Sequence, residues 1–200
     1  MKKTILKVTL AATMMFSVNL GNVRAAGAST TKAPAAPVMT DNLSKYGLKK
    51  SIELPVTMSD QDFSYTLHKI MIYDFNSKEA KALRDKYGYQ KSGTVLVNPK
   101  YLIWTKITIA NTSNKNLYGG GGELERRINL FFDDSRSIVD TIGPMKHMGK
   151  TNNKDAMWTF DLNPGEKLTT YFAYVYEGEF DYFSIQHFGK ELTEKYVVKE

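Results

Sequence analysis

Period-two alternation of apolar and polar residues runs through much of the chain from residue 63 onward. Phe63, Tyr65, Leu67, Lys69, Met71 and Tyr73 alternate with Ser64, Thr66, His68, Ile70, Ile72 and Asp74. Both faces turn apolar toward the end of that run, which predicts a long strand entering a core. Tyr101 to Ala110 repeats the theme. Leu102, Trp104, Lys106 and Thr108 oppose Ile103, Thr105, Ile107 and Ile109, and Asn111-Thr112-Ser113-Asn114 then supplies turn chemistry. Further strands are predicted over 124–132, 137–142, 156–162, 168–176 and 182–188. Strands at this rhythm, parted by Gly, Asn, Asp and Pro, indicate a sandwich or barrel. One segment breaks the pattern. Asn76 and Glu79 read as a capping box, Ala80, Leu83 and Tyr87 mark one helical face, and Gly88 is placed to end it. This predicts one short helix over 77–88, inserted between strands and not forming a second layer.

The N-terminal region follows a different pattern. Lys2 and Lys3 precede an apolar run from Val8 to Val18, and small residues follow in Val23-Arg24-Ala25-Ala26-Gly27-Ala28. That order predicts a secretory signal peptide over 1–28, cleaved after Ala25, Ala26 or Ala28. The run is too short to cross a bilayer, and no cysteine is present to take a lipid. A secreted chain with no transmembrane segment after cleavage is the expectation. Residues 29–42 are rich in Ala, Ser, Thr and Pro, and read as a flexible linker leading into one domain over 43–200.

Charge changes the picture less than it first suggests. The formal net charge is +6, from 27 basic and 21 acidic residues, but Lys2, Lys3, Lys7 and Arg24 lie in the predicted signal. Subtracting those four leaves 23 basic against 21 acidic, a net of about +2. No Lys/Arg run tracks phosphates, so nucleic acid is not an expected partner. With no cysteine, the domain must hold by packing and hydrogen bonds alone.

From Tyr101 onward the features come in a recognisable order. Ile109-Ala110-Asn111-Thr112-Ser113 ends one strand. Leu130-Phe131-Phe132-Asp133-Asp134 carries an acidic turn. Leu162-Asn163-Pro164-Gly165-Glu166 is a turn with type II chemistry, and Thr170-Tyr171-Phe172-Ala173-Tyr174-Val175 is a strand. This order resembles the immunoglobulin-like extracellular domains of unassigned function in exported Firmicute and actinobacterial proteins, whose fold is similar to that of the mycobacterial secreted immunogenic antigen. The resemblance implies an all-β, immunoglobulin-like antiparallel sandwich. It implies no site residue, because that family has no agreed activity. The glycine run Gly119 to Gly122 and the 77–88 helix depart from the family pattern.

Three groups of residues carry candidate chemistry. Met145, His147, Met148 and Met157, with Trp158 nearby, form the soft thioether and imidazole set that selects Cu(I); packing of the methionines against the sandwich is the simpler explanation of them. Asp133, Asp134 and Asp140, with Asp60 and Asp62, offer oxygen ligands for calcium, without the spacing of a calcium loop. Tyr118, Gly119, Gly120, Tyr174 and Tyr176 are the candidate partner-binding set: a mobile glycine tip beside exposed tyrosines. Enzyme signatures are weaker. No G-x-S-x-G or H-x-x-x-H spacing occurs, the glycine run lacks the Lys of a phosphate loop, and His68, His147 and His187 are scattered. The sequence therefore reads as an exported, non-catalytic domain that binds an extracellular protein or cell-wall component, without a resident cofactor. The alternatives are copper or calcium binding, and inhibition or modulation of an extracellular enzyme.

Overall fold

A computed structural model describes residues 38–199. The expected signal peptide and residues 29–37 of the expected linker lie outside them. The end of that linker is docked onto the domain. Met39 is buried, and the Asn42 side chain bonds both backbone groups of Ile72, donating to its carbonyl at 2.7 Å and accepting from its amide at 2.8 Å.

The fold is an all-β sandwich with two short helices. Five antiparallel strands form the main sheet in the order β1 (Val56–Ser59), β2 (Phe63–Asp74), β3 (Tyr101–Asn111), β8 (Lys167–Tyr176) and β6 (Asp140–Thr141). A second sheet has the order β10 (Leu192–Val198), β9 (Phe183–Phe188) and β5 (Ile128–Phe131). A two-stranded ribbon pairs β4 (Leu117–Gly120) with β7 (Thr159–Leu162). The main core gathers Phe63, Tyr65, Ile103, Ile107, Phe172 and Tyr174 of the large sheet with Leu130, Phe183 and Ile185 of the small one.

β2 spans the predicted residues, but its faces exchange midway. Its register with β3 shifts between Leu67 and Lys69, a bulge at His68. The extra residue rotates the phase by one position, so Ile70 and Ile72 continue the core face begun by Phe63, Tyr65 and Leu67. Tyr73 then joins the outer face. This explains why both faces of the segment turn apolar.

The outer face is covered by α1 (Lys78–Tyr87). Ala80, Leu83 and Tyr87 pack there in one cluster with Tyr73, Leu102, Trp104, Ala173 and Val175. The helix is therefore a covering layer over part of the sheet, contrary to expectation. Its cap also differs. Ser77 is the N-cap, and its hydroxyl accepts from the Ala80 amide at 3.1 Å, so Asn76 lies one residue outside. Gly88 ends the helix at φ +71°, as predicted.

The glycine run is not a mobile tip. Gly119 and Gly120 close β4, and Gly121 opens α2 (Gly121–Arg127), which takes residues 124–127 of the segment predicted as strand over 124–132 and leaves 128–131 to β5. A Cβ on Gly119 would sit 2.7 Å from Glu123 Cβ and Phe160 Cζ. Glycine is there because strand, helix and ring approach too closely for any side chain. Elsewhere the predicted strands shorten: 137–142 to β6 and 156–162 to β7.

The two ends of the domain are tied together. The Val197 carbonyl accepts from the amides of Ser51 at 2.8 Å and Ile52 at 3.2 Å, and Lys50 bridges to Val198. Among the described residues no helix is long and apolar enough to cross a membrane.

Candidate functional site: a tryptophan-walled cavity

Outside the sheets, Tyr89 and Pro144 form an isolated antiparallel bridge. The Gln90 amide donates to the Gly143 carbonyl at 3.3 Å, and the Met145 amide to the Gly88 carbonyl at 3.0 Å. The Gln90 side chain closes the unit, its Oε1 accepting from the Gly143 amide at 3.0 Å. Beside this unit lies a cavity of about 270 Å³. Gln90, Thr141, Ile142, Gly143 and Pro144 form one wall, Met157, Trp158 and Thr159 another, and Gly121 and Phe172 complete the lining.

Each wall is held from the main sheet. The Ile142 amide donates to the Ala173 carbonyl at 3.2 Å and the Met157 amide to the Tyr171 carbonyl at 3.1 Å, so both loops hang from β8. Trp158 is half-buried. A Cβ on Gly143 would lie 2.8 Å from Trp158 Cζ3, so glycine lets the indole lie against the chain. None of the lining residues carries an ionisable side chain. Glu125 on α2 reaches a lining residue, its Oε2 accepting from Thr141 Oγ1 at 3.5 Å. Burial, and then the negative charge of Asp140, push its carboxyl up from the ordinary range. The arrangement offers apolar surface and two hydroxyls, the chemistry of a binding pocket.

The predicted site residues fare unequally. Gly121 of the glycine run and Met157 and Trp158 of the methionine loop meet at this cavity. Tyr118 is 67% exposed on β4, beside buried Gly119 and partly buried Gly120. Tyr174 and Tyr176 are not surface residues: they are 2% and 0% exposed, and both belong to the main core. β8 is central, and from Phe172 to Tyr176 it is buried on both faces, so alternation there does not separate inside from outside. Burial, and then the neighbouring Tyr65 hydroxyl, raise the Tyr174 hydroxyl well above its ordinary range.

The methionine set is divided. Met145 and His147 lie on a 3-10 turn that Met148 caps, with Met145 40% and Met148 55% exposed, whereas Met157 is 1% exposed in the main core. His147 Nδ1 is buried without a hydrogen-bond partner. Burial, and then Lys150, lower the pKa of the ring, which favours neutral imidazole.

The aspartates proposed for calcium are dispersed, and three of them are engaged by hydrogen bonds. Asp140 Oδ2 accepts from the amides of Val95 at 2.5 Å and Leu96 at 3.0 Å. Asp60 Oδ1 accepts from the Asp62 and Phe63 amides at 2.9 and 2.8 Å. Asp133 takes the Tyr176 hydroxyl at 2.7 Å on Oδ2, and the Ser135 hydroxyl at 2.8 Å and Ser137 amide at 3.0 Å on Oδ1. Burial alone would raise the Asp133 carboxyl, but these bonds outweigh it and hold the pKa at about 2. Among the described residues, no three His, Cys, Asp or Glu side chains are placed to hold a metal ion.

Sequence reasoning missed Gln90, Thr141 and Phe172 as lining residues. Only their place in three dimensions marks them, since nothing in the local pattern sets them apart.

No protein-family model matches the chain, and no curated protein matches it in sequence. The likeness to immunoglobulin-like exported domains therefore stands on its turn motifs alone. Among solved structures the chain is similar to the yjhA protein of Bacillus subtilis, at 12% identity and a TM-score of 0.41, over 66% of this chain and 76% of that one. It is also similar to ycdA, a candidate lipoprotein of Bacillus subtilis, at 10% identity and a TM-score of 0.42, over 73% of this chain and 39% of that one. At that level neither likeness carries an argument about function.

Proposed function

We propose that this chain is an exported, non-catalytic binding domain that receives an apolar or aromatic group of an extracellular protein or cell-wall partner in the Trp158 cavity. One observation carries the reading. Two segments that stand out in the sequence, the glycine run and the methionine loop, converge on one apolar cavity. Its volume of about 270 Å³ falls just below the ~300–1,000 Å³ of pockets that take whole drug-sized ligands. A single side chain or ring matches it better. The non-ionisable lining also favours binding over proton transfer, which needs a positioned acid or base. Export rests on the N-terminal pattern of Lys2, Lys3 and the Val8–Val18 run.

The test is a ligand-observed NMR screen of the full chain with indole, phenyl and branched-alkyl amides. Binding by the wild type and its loss in Gly143→Val, where the new side chain presses on Trp158, supports the reading. Absence of binding, or equal binding by Gly143→Val, sinks it. A second reading, Cu(I) on Met145, His147 and Met148, draws on the unpartnered Nδ1 of His147. A Cu(I) titration that does not change between wild type and His147→Ala removes it.

A further inference from the structure

Beside α1 lies a second, larger hollow, a groove of about 800 Å³. Four cations line it, Lys81, Arg84, Lys91 and Lys146, against the single carboxylate of Asp85. They arrive from separate places: two from α1, one from the segment after it, and one from the 3-10 turn at 145–147. The fold assembles this charge from residues separated in sequence, so no run in the chain gives a hint of it.

Helix-end electrostatics explains half of the set. The last carbonyls of α1 attract cations, and Lys146 Nζ donates to the Asp85 carbonyl. Arg84 Nη1 donates to the Phe75 carbonyl at 2.6 Å, and its guanidinium lies 3.9 Å over the Phe75 ring. Lys81 and Lys91 have no such role; both are exposed and make no side-chain hydrogen bond within the described residues. Among the described residues none of the four cations is ion-paired. Arg84 is half-buried and its fork is held in place, and burial lowers its pKa. A partly desolvated guanidinium with no salt-bridge partner, offset only by the charge of neighbouring Asp85, is an arrangement that a bound oxyanion relieves.

We infer that this groove is a binding site for phosphate-class oxyanions, with Arg84 as the fixed fork and Lys81, Lys91 and Lys146 as the surrounding charges. Guanidinium matches phosphate oxygens in a bidentate fashion, and ammonium groups add point charge. The volume is far more than one phosphate fills. Four cations against one acid suit several phosphates in sequence, so a phosphodiester chain is the occupant. The site is separate from the Trp158 cavity and goes beyond the function proposed above.

The test is calorimetric titration of the full chain with two probes, inorganic phosphate and a poly(glycerol phosphate) oligomer. The oligomer is expected to bind, and to weaken at least about tenfold between roughly 50 and 200 mM salt. Lys81→Gln with Lys91→Gln is expected to reduce that binding at least about tenfold with an unchanged melting temperature. Lys45→Gln with Lys49→Gln, remote in sequence from the groove, is expected to leave it intact. Equal affinity for inorganic phosphate would assign the same site to free phosphate. No binding of either probe, or equal binding by the Lys81/Lys91 variant, overturns the inference. Gly143→Val leaves oligomer binding unchanged, so the two proposals fail separately.

Discussion

The turn around Asp133 and the loops around Trp158 handle polar groups in opposite ways. Asp133 is buried, and its carboxylate is surrounded by donors from Tyr176, Ser135 and Ser137; its own carbonyl takes the Tyr182 hydroxyl at 2.9 Å. Every hydrogen-bond partner of that carboxylate belongs to the protein itself. Around Trp158 the lining is apolar, the ring is half-buried, and space remains. A saturated polar turn locks the fold, and an unfilled apolar one leaves room for a guest. In the acidic turn, the Asp133 carboxylate that the sequence offers as a calcium ligand is engaged by Tyr176 and by donors of the turn itself.

The largest effect should come from breaking the locked turn. Asp133→Ala removes the shared acceptor of the Tyr176 and Ser135 hydroxyls and the Ser137 amide, leaving Tyr176 only the Glu179 carbonyl at 2.7 Å, and should cost about 3 kcal/mol in urea unfolding. Acid should do nearly the same. The folded pKa of Asp133 is about 2, below its ordinary 3.8, so its contribution is complete above 3.8 and disappears as pH falls toward 2. That is about 2 kcal/mol, seen as a fall in stability over that window and missing in Asp133→Asn. Trp158→Ala should cost less, about 1 kcal/mol, because the ring is already half in water. It should abolish fragment binding all the same. The smallest effect belongs to Glu125→Gln. The folded pKa of Glu125 lies above its unfolded value, so its contribution is present at low pH and lost as pH rises through the folded pKa. At neutral pH the substitution should leave stability unchanged or slightly raised, opposite in sign to Asp133→Asn.

Much of the strand framework is legible in the chain, because β2, β3 and β8 are long and their apolar runs are bounded by turn residues. Side-chain direction is less so. The bulge at His68 exchanges the faces of β2, and no single residue announces it. Alternation puts Tyr174 and Tyr176 outside, yet β8 is buried on both faces from Phe172 to Tyr176. Its near-continuous apolar composition was the available signal. β10 went unread because Thr193, Glu194 and Lys195 make it polar, as suits an edge strand. The cavity was half legible. Glycines and methionines marked two of its walls, whereas Gln90, Thr141 and Phe172 lie far apart in sequence and meet only through tertiary pairing.

The tie between Val197 and residues 51–52 sets an order of events in biosynthesis. β10 completes the small sheet and fastens the opening segment of the domain, yet it is the last strand described to leave the ribosome. Until residue 198 has emerged, β9 has a free edge and the segment at 50–52 lacks its partner. The finished tertiary structure therefore waits for residue 198 to emerge, and until then the nascent domain stays open.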